Sequence, residues 1–284
     1  MDSSLREPSD APQGKRSGWL LQEHREMSRF AEKLKDLGEE VLCRRLCAGY
    51  SIGEGNYKRI YHIHIRKTGG TSLNYMFHAL AKNDGWSSSY AELTQVPHHR
   101  VVRDKLVFVG WDGKLINKGY YFYAFSHMPV HWLRLKPRTF TITCFRDPCR
   151  RVISHYNMLM ELVVNRVPHV CLETEGPWLG RSFDEFLERI PRDHLQNQLY
   201  MFSSKFDESE ALENVRNVSH VMFTEDFVAG VRELNRKTGL HLEPIHTRKT
   251  GYKAEISDAG MARLREKLSE EYDFIEKVKS SLPR

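Results

Sequence analysis

The apolar positions of this chain follow two rhythms. Residues 60–65, 139–145 and 218–223 are short runs of β-branched and aromatic residues that read as buried strands. Between them the spacing changes to threes and fours. Leu73, Met76, Phe77 and Leu80 predict a helix just after the first run, with Thr71 or Ser72 as its cap. Val152, Ile153, Tyr156, Leu159 and Met160 predict another after the second run, opened by Asp147 as N-cap and Pro148 in the first turn. Further helices are expected at 183–190, 195–202 and 227–238, and a charged amphipathic one over 257–281. Residues 106–111 and 120–125 read as the two arms of a hairpin with a long connection. Residues 164–182, holding Pro168, Gly176, Pro177 and Gly180, read as a loop.

Strands ending at Ile65, Phe125, Phe145 and Phe223 alternate with helices, which predicts an α/β three-layer sandwich around a mainly parallel sheet. A chain of 284 residues accommodates one such domain with an attachment. We divide it into residues 1–55, a disordered N-terminus with a helical extension, and residues 56–284, the main domain. Residues 1–17 are polar and contain Pro and Gly, a composition that does not fold alone. Residues 18–48 space Trp19, Leu20, Met27, Phe30, Leu34, Leu37, Val41 and Leu46 as one or two amphipathic helices. Their apolar face has three candidate destinations: the domain flank (the default), the ligand side, or a second copy in a homo-oligomer.

Lys and Arg number 43 against 37 Asp and Glu, a net charge of +6 that suits an anionic ligand. The basic residues are scattered, without a long cationic run or an aromatic RNA-binding signature, so nucleic acid is not the expected partner. Five cysteines without paired metal spacing read as reduced thiols of a cytoplasmic protein. No run approaches the ~20 apolar residues of a transmembrane helix, and residues 1–17 do not form a secretory signal. His62/His64 and His98/His99 lack a third ligand at suitable spacing, so no metal is expected.

The chemistry concentrates at strand ends, where α/β sheets bind ligands. After the first strand come Lys67, Thr68, Gly69, Gly70, Thr71 and Ser72, a cationic, glycine-containing turn running into a helix N-terminus. That combination suits a phosphate. It is not the usual ATP loop, in which the lysine follows the glycines. After the strand at 139–145 comes Arg146, whose planar guanidinium suits bidentate phosphate binding, with Ser154 two turns into the following helix. Ser126-His127-Met128-Pro129 ends another strand, and an imidazole there can accept a proton near neutral pH.

The order Lys67-Thr68-Gly69-Gly70-Thr71-Ser72 resembles the 5′-phosphosulfate loop of sulfotransferases that use 3′-phosphoadenosine 5′-phosphosulfate (PAPS). The form His64-Ile65-x-Lys67-Thr-Gly-Gly-Thr-Ser is most similar to the carbohydrate-type branch of heparan sulfate 2-O- and 6-O-sulfotransferases. Arg146-Asp147-Pro148-x-x-Arg151-x-x-Ser154 resembles the 3′-phosphate motif of the same family. The resemblance covers about residues 59–255. It implies a P-loop-NTPase-like sulfotransferase fold and PAPS as donor, with no metal required. It also implies sulfuryl transfer to a hydroxyl, or an amine, of a saccharide or small polar acceptor. In that reading His127 is the catalytic base and Lys67 both binds the donor and assists departure of the phosphate. Arg146 and Ser154 hold the 3′-phosphate, and Arg248, Lys249, Gly251, Tyr252 and Lys253 form the late basic loop that closes over the donor. His131 and the Glu173/Glu175 pair are rival bases and, with Trp178, acceptor contacts; the loop charge favours a cationic guest. Two alternatives use the same loop: an ATP-dependent kinase or NTPase, and a non-catalytic nucleotide- or RNA-binding protein.

Overall fold

The computed structural model describes residues 33–34, 36–81, 85–96, 99–245 and 251–282. Most of the predicted amphipathic segment (18–32), His98, and the Arg248–Lys249 pair lie outside the described residues. The chain forms two compact units, Met1–Arg45 and Leu46–Arg284. Helix α1 occupies residues 36–49. Residues 46–55 belong to the larger unit, a boundary earlier than the division at 55. They are stitched in by the Ile52–Tyr57 bridge and by Gly53 N donating to Thr238 O at 3.0 Å.

Six strands form one sheet: β1 (Arg59–Ile63), β2 (Arg100–Arg103), β3 (Leu106–Gly110), β4 (Tyr123–Ser126), β5 (Thr139–Phe145) and β6 (His220–Phe223). Their spatial order is β2-β3-β4-β1-β5-β6, and every pairing is parallel except β2 with β3. The chain is therefore α/β, as expected. Helices α2 (Gly70–His78), α3 (Gly85–Leu93) and α4 (Gly113–Lys118) lie in its first half, and α5 (Pro148–Val164), α6 (Val170–Glu175) and α7 (Phe183–Arg189) follow β5. Then come α8 (Arg192–Leu195), α9 (Asn197–Tyr200), α10 (Glu208–Arg216), α11 (Phe227–Thr238), α12 (Asp258–Lys267) and α13 (Ser269–Ser281).

Helices cover both faces of the sheet. On one, Ile60, Tyr123, Phe125, Ile142, Cys144 and Met222 share a core with Leu73 and Phe77 of α2, Leu93 of α3 and Val231 and Leu234 of α11. On the other, Phe145 packs against Phe202 and Phe274, with ring centroids 5.6 and 5.9 Å away. The period-two alternation along β5 feeds both cores. Among the described residues no helix is long and apolar enough to cross a membrane.

The predicted hairpin between 106–111 and 120–125 does not form. β3 and β4 run parallel, with Phe108 opposite Tyr123. The segment between them holds α4, whose N-cap Asp112 accepts from Lys114 N and Leu115 N at 2.9 and 3.0 Å; Gly119 ends it in the left-handed region. A capped helix carries the chain over so that it re-enters parallel. The hairpin is instead β2–β3, turning on Asp104 and Lys105, both at positive φ. Residues 164–182 contain α6 rather than loop alone. The last predicted helix is two, broken at the fully buried Leu268.

Candidate functional site

β4, β1 and β5 lie side by side, and their C-terminal ends carry the candidate residues. Beyond β1 the chain turns tightly. Lys67 adopts φ 66°, rare for a residue with a side chain, and Gly69 follows at φ 82°. Gly69 is the N-cap of α2, so Thr71 and Ser72 sit inside its first turn, and neither is the predicted cap. Ser72 N donates back to Gly69 O at 3.0 Å. Thr68 is fully buried and its hydroxyl donates to Ile65 O at 2.9 Å, so its side chain serves the turn rather than a ligand. Gly70 has no room for a side chain: a Cβ there would stand 2.1 Å from His64 Cδ2 and 2.8 Å from His62 Cε1. The first-turn N–H groups of a helix lack intrahelical carbonyls and carry partial positive charge, which favours an anion.

Arg146 follows β5 directly. Its Nη1 donates to Lys67 O at 3.0 Å, so the two sequence motifs meet in one place. Gln198 of α9 grips the Arg146 backbone from both sides: Arg146 N donates to Gln198 Oε1 at 2.8 Å, and Gln198 Nε2 donates to Arg146 O at 3.0 Å. Asp147 is the N-cap of α5, accepting from Arg150 N at 2.8 Å and from Tyr272 OH at 2.9 Å. Ser154 is half-buried on α5. One helical face takes it on to Asn157, which accepts from Ala254 N at 3.0 Å, and to Glu161, which accepts from Gly251 N at 2.7 Å. The described part of the late loop therefore runs along the α5 face that carries Ser154. Gly251 and Tyr252 line a cavity of about 310 Å³ with Glu161, Val164 and Asn165, and Lys253 is exposed.

His127 stands just past β4. Its Nδ1–H donates to His64 O at 2.7 Å, which leaves Nε2 of the neutral ring with a lone pair as an acceptor. Burial, with the Arg66 charge as the next cause, pushes this imidazole down to about 4, so it is neutral at pH 7. Its ring centroid lies 4.3 Å from that of His64, which in turn stacks on His62 at 4.8 Å. His62 Nδ1 lies 3.0 Å from both Asn74 Oδ1 and Tyr123 OH, and Tyr123 OH donates to Asn74 Oδ1 at 2.7 Å. Burial pushes His62 down to about 4 and His64 well below the ordinary imidazole value.

The residues assigned to the acceptor are less united. His131 is exposed, its ring edge-on to Tyr200 at 5.5 Å. Trp178 is half-buried against His194, with ring centroids 4.6 Å apart. Glu173 is exposed whereas Glu175 is buried, so the two do not act as a pair. Glu175 Oε1 lies 2.6 Å from Arg66 Nη2, and its Oε2 lies 2.6 Å from His155 Nε2. That carboxylate is matched internally and does not confront a cationic guest.

Sequence reasoning assigned no site role to Arg66, Gln198 or His155. For Gln198 the signal was local, since Gln196, Asn197 and Gln198 form a run of amides too polar for a helix with no buried partner; Arg66 and His155 carried none. Arg151 is also more than a motif member. It is fully buried, donates from Nη2 to His194 O at 3.0 Å and to Leu195 O, and lies 3.9 Å from the buried Glu271. Glu271 in turn accepts from Gln198 N at 2.7 Å.

Comparison with models of protein families and with curated proteins returns no match to this chain. Among the described residues no group of three or more His, Cys, Asp or Glu side chains is arranged to hold a metal ion.

Proposed function

We propose that this protein is a sulfotransferase that moves a sulfuryl group from PAPS to a hydroxyl, or an amine, of a saccharide or small polar acceptor. The observation that carries this reading is the Arg146 Nη1 bond to Lys67 O, which joins two anion-binding motifs into one site. On the neighbouring strand end His127 keeps Nε2 unprotonated, its Nδ1–H donating to His64 O. The fit to a nucleotide with phosphates at both ends rests on the N-terminus of α2, which no side chain caps, for one, and on the remainder of the Arg146 guanidinium with Ser154 of the following helix for the other. The left-handed Lys67 and Gly69 bring backbone N–H groups close together, as an anion cradle requires.

When bound, the donor supplies an activated SO3 group on a good phosphate leaving group. His127 Nε2 removes the acceptor's proton as the new bond to sulfur forms. Lys67 meets the negative charge that gathers on the departing phosphate oxygen. Arg146 and Ser154 orient the nucleotide and distinguish it from one lacking a 3′-phosphate. The cytoplasmic setting belongs to the same proposal and rests on cysteine usage in the sequence, an odd set of five without paired spacing.

The test is transfer of labelled sulfate from PAPS to a panel of saccharide and small hydroxyl or amine acceptors without added metal. Wild type is expected to label a member of the panel, and His127→Ala to lose about 100-fold or more. Phosphoryl transfer from ATP with Mg²⁺, and none from PAPS, would overturn the proposal.

A further inference from the structure

Arg66 lies between β1 and Lys67, and the chemistry above gives it no task. Its side chain turns inward. Arg66 Nη2 lies 2.6 Å from Glu175 Oε1 and donates to Cys171 Sγ at 3.4 Å, while Arg66 N donates to Asn197 Oδ1 at 3.4 Å. Glu175 is 3% exposed. Burial favours its protonation, but the His155 hydrogen bond and the Arg66 charge outweigh that and hold it below the usual carboxylate range. The pair is therefore ionic at neutral pH, and removing either partner would leave the other charge uncompensated.

The neighbouring backbone is tied at every residue. His64 O accepts from His127, Ile65 O accepts from Thr68, Arg66 N reaches α9, and Lys67 O accepts from Arg146. Arg66 is in addition fixed by a charge pair from another element, α6. The titratable and charged groups that face His127 are His62 from β1, His64 and Arg66 just after it, Glu175 from α6 and His155 from α5. Of these, Arg66 and Glu175 bear full charges at neutral pH, and they act on the imidazole in opposite senses.

We propose that Arg66, latched by Glu175, is the positioning residue of this site: it fixes the loop that presents Lys67 and holds a permanent positive charge two residues along the chain from His64, whose carbonyl anchors His127. The inference rests on the reading of His127 as the base, although the arrangement itself does not depend on which reaction the base serves. Arginine stays charged at any working pH. It opposes a second positive charge on His127 and so keeps Nε2 available, while Glu175 both anchors that charge and moderates it.

The experiment follows the His127 imidazole by NMR across pH in wild type, Arg66→Gln, Glu175→Gln and the double variant, the resonance being assigned by its loss in His127→Gln. Titration is expected to move to higher pH by about one pH unit in Arg66→Gln and to lower pH in Glu175→Gln. Loss of packing alone does not produce opposite shifts. If Arg66→Gln fails to fold, the double variant compared with Glu175→Gln isolates the same charge and carries the same expected upward shift. Transfer from PAPS is measured beside it, and the acid limb of its pH profile is expected to move in step. Opposite imidazole shifts without any PAPS activity would uphold the positioning role and sink the sulfotransferase reading. An unmoved His127 titration in all variants would overturn the positioning role even in an active enzyme.

Discussion

Gly70→Ala is the most economical test of how the loop is built. Gly70 opens α2, so alanine's helix propensity alone favours the variant by about 1 kcal/mol. Sterics oppose it. The new Cβ would stand 2.1 Å from His64 Cδ2, 2.3 Å from His64 Nε2 and 2.8 Å from His62 Cε1, all inside van der Waals contact. Neither ring is a flexible end that swings away: His64 is 6% exposed, His62 is fully buried, and the two stack at 4.8 Å. Overpacking of this kind costs about 1–3 kcal/mol, occasionally more. The propensity gain offsets part of this, so we expect a net loss of up to about 2 kcal/mol, read as a lower urea midpoint with an unchanged slope. The double variant Gly70→Ala/His64→Ala should cost less than the sum of the two single changes, because the methyl enters the space the ring vacates. A Gly70→Ala midpoint at or above that of wild type would refute the argument and with it the close approach of loop to ring.

Other expectations follow from the same geometry. His127→Gln should cut transfer about 100-fold while leaving affinity for 3′-phosphoadenosine 5′-phosphate intact; in wild type the acid limb of kcat/KM should fall near pH 4 rather than 6.5, because His127 is held at about 4. His62 and His155 are pushed by burial to about 4 and His78 to about 3, all below the 6.5 of an unfolded chain. The unfolded state then binds more protons in that window, so stability should drop as pH falls from 6.5 towards 4, by about 1–3 kcal/mol per ring. Thermal melts across pH check this, and His78→Phe should flatten the slope. Glu271→Ala strands the buried Arg151 guanidinium and should cost about 3–5 kcal/mol in urea unfolding, with Glu271→Met/Arg151→Met milder.

Strand runs, helical spacing and cap chemistry were legible because they are local. The β5 run at 139–145 and the helix at 227–238 appear with the expected bounds, and Asp147 caps α5 as its position before Pro148 demands. Where α4 stands, the signal was present in Asp112 and Gly119, but two strand-like runs with turn residues between them look the same for a hairpin and for a short crossover. The capping of α2 eluded the pattern because Gly69 caps with backbone alone, which no side-chain preference announces. Within the site, Lys67, Arg146 and His127 were readable as residues that follow strands. Gln198, Asn197 and the Arg66–Glu175 pair were not, since each joins positions more than 50 residues apart. The same reason explains Glu175: a loop glutamate looks exposed in sequence until the arginine that buries it is known.

The most direct test of the sulfotransferase account is calorimetric titration with 3′-phosphoadenosine 5′-phosphate, beside AMP and ATP, for wild type and Arg146→Ala. The account predicts tight, Mg²⁺-independent binding that requires the 3′-phosphate and is lost in Arg146→Ala. Preference for ATP with Mg²⁺, or binding of none of the three, would contradict it.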